Sequence, residues 1–189
     1  MSADLAYLAE RFARQEPERP RFAPESGHRF ERIVQRHHAR LRRAAAGMIA
    51  DRDRVDDVLQ EAYLKAYKRL PRRFANEAHE ATWLYRVVFR CCLDELRRTR
   101  RRREDPRAEV EPLRRVEDRV EGLEIDRAFH RLSAGDRSVL LLVDLLGLDY
   151  AGAAAVLKIK RGTVASRLSH ARRRFREALV EEGVVDAGD

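Results

Sequence analysis

Apolar positions recur at helical spacing along most of this chain, and no stretch shows the strict alternation of a half-buried strand, so the pattern predicts an all-α protein. Leu5, Leu8, Ala9 and Phe12 space out as one short amphipathic helix, which Pro17, Pro20, Pro24 and Gly27 are expected to break. From His28 the spacing of Phe30, Ile33, Val34, His37 and Leu41 predicts a first long helix to about Ala50. Asp51-Arg52-Asp53 marks a break, with Asp53 the expected cap of a second helix that runs to about Leu70, before Pro71. Its buried stripe is Val55, Val58, Leu59, Ala62 and Ala66. A loop from Arg72 to Ala81 leads to a third helix, Thr82 to Arg98, apolar along Trp83, Leu84, Val87, Val88, Cys91 and Leu96. Further on, Leu123 to Leu132 is helical. Ser133-Ala134-Gly135-Asp136 caps a helix through Leu146, and Gly147 ends it.

The segment from Asp149 to Leu179 is the most informative. A short helix with Ala153, Ala154, Val156 and Leu157 meets a four-residue turn, Lys158 to Arg161. A longer helix follows, with an apolar seam at Val164, Leu168, Ala171, Phe175 and Leu179. Thr163, Ser166, Arg167, His170 and Arg173 lie on its other face. This is the layout of a helix-turn-helix, in which the first helix braces a second that enters the major groove. Lys160 and Arg161 stand at the start of that second helix, where cations are disfavoured by a few tenths to about 1 kcal/mol. Charge placed against the dipole points to an anion opposite. The competing reading is a solvated basic helix packed on a small bundle.

Composition narrows the partners. Of the 189 residues 38% are charged, the net charge is +8, and Arg greatly outnumbers Lys, as suits phosphate and base edges. The charge is unevenly spread. Residues 97–103 hold six arginines in seven, whereas residues 104–121 carry Pro106, Pro112 and a net charge of −3, the make-up of a linker. The expected organisation is an extension 1–27, a helical domain 28–103, an acidic linker 104–121, a helix-turn-helix domain 122–182 and a tail 183–189. The fold is two small helical domains joined by a linker. Cys91 and Cys92 are adjacent on a helix and point apart, so they read as small core residues of a reducing compartment rather than a disulfide or zinc pair. No secretory leader and no run of membrane-spanning length is visible, so a cytoplasmic location without membrane insertion is expected.

Three stretches resemble the bacterial sigma factors of the extracytoplasmic-function type, within the sigma-70 family. DRDRVDDVLQEAYLKAYKRL, residues 51–70, is similar to the family's polymerase-binding segment. ATWLYRVVFRCCLDELRRTRRR, residues 81–102, is similar to its promoter-melting and minus-ten-reading helix. Residues 132–179 resemble its minus-thirty-five domain. The sequence departs from the family pattern at Gly152, Ala153, Lys158, Ala165 and around Cys91. Lys158 stands where the turn usually has Gly, and a non-Gly residue in a left-handed turn costs on the order of 1 kcal/mol.

The resemblance implies roles residue by residue. Asp56, Asp57, Gln60 and Glu61, expected on the outer face of the second helix, would dock on the clamp helices of core RNA polymerase; an acidic patch repels DNA and suits a basic protein surface. The loop from Phe74 to Ala81 would capture a flipped base of the non-template strand, with Phe74, Asn76 and His79 as suitable types. Trp83 is placed with them, although its apolar stripe favours core packing. Arg86, Arg90 and Arg97 would track the single strand. Lys160, Arg161, Thr163, Ser166, Arg167, His170 and Arg173 would contact the minus-thirty-five duplex. The linker would thread the polymerase cleft. Partners would be core polymerase, promoter DNA as duplex and non-template strand, and an anti-sigma factor.

No P-loop, nucleophile elbow, paired-carboxylate site or metal-ligand set is visible, so no catalytic residue, cofactor or metal is expected and the chain reads as a non-enzyme. The main reading is a dissociable sigma subunit that directs core polymerase to promoters and helps open the DNA. The first alternative is a stand-alone helix-turn-helix regulator. The second is a helical adaptor that binds polymerase without reading DNA. The regulator needs neither the acidic helix nor the arginine-rich one, and the adaptor does not need the helix-turn-helix.

Overall fold

The computed structural model describes residues 24–104 and 123–186, and every regular element among them is helical. The helices are α1 Pro24–Met48, α2 Arg52–Lys68, α3 Glu77–Glu104, α4 Leu123–Arg131, α5 Ala134–Leu140, α6 Tyr150–Leu157 and α7 Arg161–Glu181. A π-helical turn, Leu141–Leu145, lies between α5 and α6. The helix expected at residues 5–12 and the linker beyond Glu104 fall outside the described residues.

Three expected boundaries shift for local reasons. Helix α1 begins at Pro24 rather than His28, because a first-turn proline lacks only an N–H that would have no intrahelical partner. The cap of α2 is Asp51, not Asp53: the Asp51 carboxylate accepts from the Asp53 N–H at 3.1 Å, and Asp53 sits in the first turn. Helix α3 starts at Glu77 rather than Thr82, because the Asn76 side-chain oxygen accepts from the His79 N–H at 2.9 Å and nucleates the helix there.

In the N-terminal lobe α2 packs along α3. The most buried side chains are Leu41 and Met48 from α1, Val55 and Leu59 from α2, and Leu84, Val88, Phe89 and Cys92 from α3. The expected stripe of α2 is buried throughout, joined by Tyr63. Both cysteines are buried free thiols. Burial pushes the Cys92 thiol up to about 12, which keeps it protonated and unreactive.

The C-terminal lobe is built on the Ser133 cap, whose hydroxyl accepts from the Asp136 N–H at 3.1 Å. The helix expected to continue to Leu146 widens into the π-turn after Leu140, then stops at Gly147, whose φ of +73° suits glycine. Leu132, Val139, Leu140, Leu168 and Ala171 form the core, with Phe129, Val143, Tyr150, Leu157 and Phe175 around it. An Arg172–Asp144 fork, 2.6 and 3.2 Å, ties α7 to the π-turn.

Two histidines couple this packing to pH. His37 Nδ1 lies 3.1 Å from the Tyr85 hydroxyl, and its Nε2 lies 3.8 Å from Glu80. Burial lowers the pKa of His37, and burial followed by the Arg137 charge lowers that of His130. Both rings are therefore neutral in the fold and protonate more readily when unfolded. Their contribution is complete above the ordinary value of 6.5 and is lost as pH falls below it toward the lowered folded values. Thermal melts should show the midpoint falling between pH 7 and mildly acidic conditions, with a shallower slope in a His37→Gln/His130→Gln double variant.

Candidate nucleic-acid interface and protein-docking helix

The acidic face of α2 is more differentiated than its sequence implies. Asp56 and Asp57 are exposed, while Gln60 and Glu61 are half-buried rather than fully outward. Asp56 receives a fork from Arg42 of α1, at 3.0 and 3.3 Å. Glu61 is held between Lys65 and Arg98, and the Lys65 ammonium keeps its carboxyl below the usual carboxylate range. Asp57 and Gln60 have no side-chain partner among the described residues. Leu64, one turn further along the same face, is an exposed large apolar side chain that the acidic pattern did not flag. An uncommitted acid, an amide and an exposed leucine at i, i+3 and i+7 leave a small mixed patch on one face of α2, of the kind that suits a protein helix.

The earlier start of α3 changes the second candidate surface. His79 and Trp83 join Arg86, Arg90 and Arg97 on one stripe of a single helix, since these positions fall within a narrow sector at 100° per residue. The stripe is about 27 Å long at 1.5 Å per residue, some eight base-pair steps of duplex. His79, Arg86, Arg90 and Arg97 are exposed. Trp83 is half-buried against Phe74, with ring centroids 5.2 Å apart and planes tilted by 52°. The two aromatics thus form one partly open surface at the head of a cationic track, the combination that stacks and follows a single strand. Arg97 also pairs with Asp94 at 2.8 Å.

Asn76 is exposed, but its side-chain oxygen is occupied as a helix cap, so its first task is structural. Asn76→Asp preserves the acceptor, whereas Asn76→Ala removes it at about 1 kcal/mol. If the cap is its role, opening of a duplex promoter should fall with Ala and not with Asp, as permanganate footprinting of the melted region would show.

In the helix-turn-helix, Asp149 caps α6 by accepting from the Gly152 N–H at 2.7 Å. Lys158 adopts the left-handed conformation, φ 56° and ψ 45°, as its position in the turn demands. Helix α7 then begins at Arg161 with Lys160 as an N-cap that offers no side-chain acceptor, so both cations stand exposed at the positive end of the dipole. Ser166, His170 and Arg173 are exposed and Thr163 is half-buried, over the buried seam Val164, Leu168, Ala171 and Ala178. Ser166 Oγ donates back to the Thr163 carbonyl at 3.3 Å. Arg173 lies 3.2 Å from His170 Nδ1 and 3.7 Å from Glu177. Arg167 departs from the expected reading face: it is half-buried, and a Cβ placed on Gly135 would lie 3.2 Å from its Nη1. It packs across the head of α5.

Among the described residues no cluster of His, Cys, Asp and Glu could hold a metal ion, and no helix is long and apolar enough to cross a membrane.

Comparison with known proteins agrees with this layout. Residues 33–102 match the family model of Sigma-70 region 2, and residues 122–175 that of Sigma-70, region 4. The ECF RNA polymerase sigma factor SigM of Mycobacterium tuberculosis is 34% identical over 154 residues, covering 79% of this chain and 76% of the relative. SigC of the same species is 34% identical over 146 residues, covering 73% and 75%. Among solved structures, the sigma factor RpoE in complex with the anti-sigma factor NepR from Bartonella quintana aligns with a TM-score of 0.65 at 24% identity, over 80% of this chain and 96% of that one. CnrH, solved with the cytosolic domain of CnrY, aligns at 0.62 and 23% identity, over 95% and 98%. At these identities the structural likeness speaks for the fold, while the curated relatives and the two matched regions speak for descent: the chain belongs to the extracytoplasmic-function RNA polymerase sigma factors of the sigma-70 family.

Proposed function

We propose that this chain is a dissociable sigma subunit that brings core RNA polymerase to its promoters and helps open them. The observation that carries the reading is the division of the N-terminal lobe. Helix α2 presents a protein-docking face of Asp57, Gln60 and Leu64, and α3 presents an aromatic head and cationic track. A regulator that bound DNA alone would need only the C-terminal lobe. In this reading residues 28–103 bind polymerase and the minus-ten strand, and residues 122–182 bind the minus-thirty-five duplex. The acidic residues 104–121 pass through the polymerase cleft between them. The chain does no chemistry itself and acts where the polymerase is, in the cytoplasm. Because one structural relative was solved with an anti-sigma factor, a dedicated anti-sigma partner is part of the proposal.

Run-off transcription with purified core polymerase tests it. Initiation from a promoter silent without the chain is expected. Tight specific duplex binding with no effect on initiation would favour the stand-alone regulator.

The orientation of α7 gives a further expected result. Lys160→Ala removes an exposed cation at the helix start and should weaken binding to every sequence of an upstream-element library alike, lowering the salt slope by about one. His170→Ala should instead change the sequence profile, at ~1–3 kcal/mol for a lost base contact. The reverse pattern would mean that the helix lies the other way in the groove.

A further inference from the structure

Three consecutive arginines of α7 have different partners. Arg172 forks onto Asp144 of the π-turn at 2.6 and 3.2 Å, and Arg174 reaches Asp136 of α5 at 3.5 Å. Both hold α7 to the rest of its lobe. Arg173, between them, turns along its own helix instead. Its Nη2 lies 3.2 Å from His170 Nδ1, and its Nε lies 3.7 Å from Glu177 Oε1. The guanidinium thus sits between a carboxylate one turn on and an imidazole one turn back, on the exposed side of the helix.

This contact decides what His170 can offer. A guanidinium is always charged, carries five N–H donors and has no lone pair to give. At 3.2 Å it can only donate, so Nδ1 accepts; a proton on Nδ1 would point at another proton. The neutral ring therefore carries its proton on Nε2, an assignment that follows from the arginine and not from a hydrogen position. His170 is exposed, and Nε2 has no partner among the described residues. It is an N–H donor with no acceptor beside it.

We propose that Arg173 is a positioning residue that locks His170 as a pure donor, so that α7 excludes cytosine from the base position His170 meets. The proposal rests on the reading of α7 as the helix that enters the minus-thirty-five groove. In the major groove guanine offers N7 and O6 as acceptors, adenine N7 and thymine O4, whereas cytosine presents only its N4 amino donor. A donor facing that amino group leaves both unsatisfied in the interface. An unlocked imidazole could change tautomer and accept from cytosine. Discrimination therefore needs the lock as well as the ring, and Arg173 acts through His170 rather than on a base.

Two measurements on the full chain test this. Ring-nitrogen resonances of the histidine-labelled chain at about pH 8, where an ordinary imidazole is neutral, report which nitrogen carries the proton. The His170 signals, identified by their loss in His170→Ala, should be those of an Nε2–H ring, and Arg173→Met should shift them toward a mixture of tautomers. In binding to a randomised upstream-element library, the position whose profile flattens in His170→Ala is the one the ring reads. Cytosine should be disfavoured there about fivefold or more by the unmodified chain, and about twofold or less by Arg173→Met, beyond any uniform loss of affinity. His170→Glu, which can only accept, should make cytosine the favoured base. Both side chains are exposed, so circular dichroism should show all the variants folded. Mixed tautomers in the unmodified chain, no position that responds to His170→Ala, or an Arg173→Met variant that weakens every sequence alike would each overturn the proposal. If the cytosine results hold but core polymerase gives no initiation, the lock stands and the sigma reading fails. Initiation with cytosine tolerated at that position overturns the lock alone.

Discussion

Asp57→Lys should reduce core polymerase binding by at least tenfold while leaving helix content and melting temperature unchanged. The basis is the contrast among the acids of α2. Asp57 is exposed and free of partners among the described residues, so a lysine there disturbs nothing within the chain. At an interface it would oppose the basic surface that the acid is proposed to meet, and disrupting a desolvated charge pair costs about 2–5 kcal/mol. Glu61→Lys is a poor substitute, because it sets a third cation against Lys65 and Arg98 and tests folding as much as binding. Leu64→Ser on the same face should add to the loss. Pull-down with core enzyme, run beside circular dichroism, decides the matter; undiminished capture of the Asp57 variant would move the docking surface off α2.

Leu168→Ala should destabilise the C-terminal lobe by about 3–5 kcal/mol, the range for emptying a packed leucine site. Leu168 is 1% exposed and central to a core with Leu132, Val139, Leu140 and Ala171, so the cavity would open between α7 and the helices that brace it. A lobe this small has a stability of the same order. Upstream duplex reading should be lost at 37 °C, whereas polymerase capture through α2 should persist. Loss of both together would mean that the lobes do not fold separately.

Much of this architecture was legible because it depends on local periodicity. The stripe Val55 to Ala66, the Val164–Leu168–Ala171 part of the α7 seam and the Ser133 cap each follow from residue types at fixed offsets, and the structure places them as expected, whereas the left-handed turn at Lys158 is implied only by the family resemblance. The boundaries that shifted depended on a choice between neighbours. Asp51 and Asp53 are both good caps, and Asn76 was read for its chemistry toward a base although its spacing to Glu77 and Glu80 already marked a helix start. What lay beyond reach was tertiary. Nothing local reveals that Arg42 neutralises Asp56, that Arg98 returns to Glu61, that Arg167 lies over Gly135, or that Arg137 reaches a carbonyl 89 positions away. Long arginine side chains make such links invisible to pattern, and in this chain arginine is the main carrier of charge.

The π-turn Leu141–Leu145 has a consequence for how variation in this chain is tolerated. A π-turn holds one residue more than an α-helical path of the same length, and each residue carries about 100° of rotation. A single-residue deletion there would let α5 run on as a regular helix but would swing Gly147 and all of α6 and α7 around its axis, pulling Asp144 from Arg172. In the proposed reading, point substitutions on the surface of α7 would retune which bases are read. A length change in these five residues would instead redirect the whole reading head, so the segment behaves as a gauge of chain length rather than of side-chain identity.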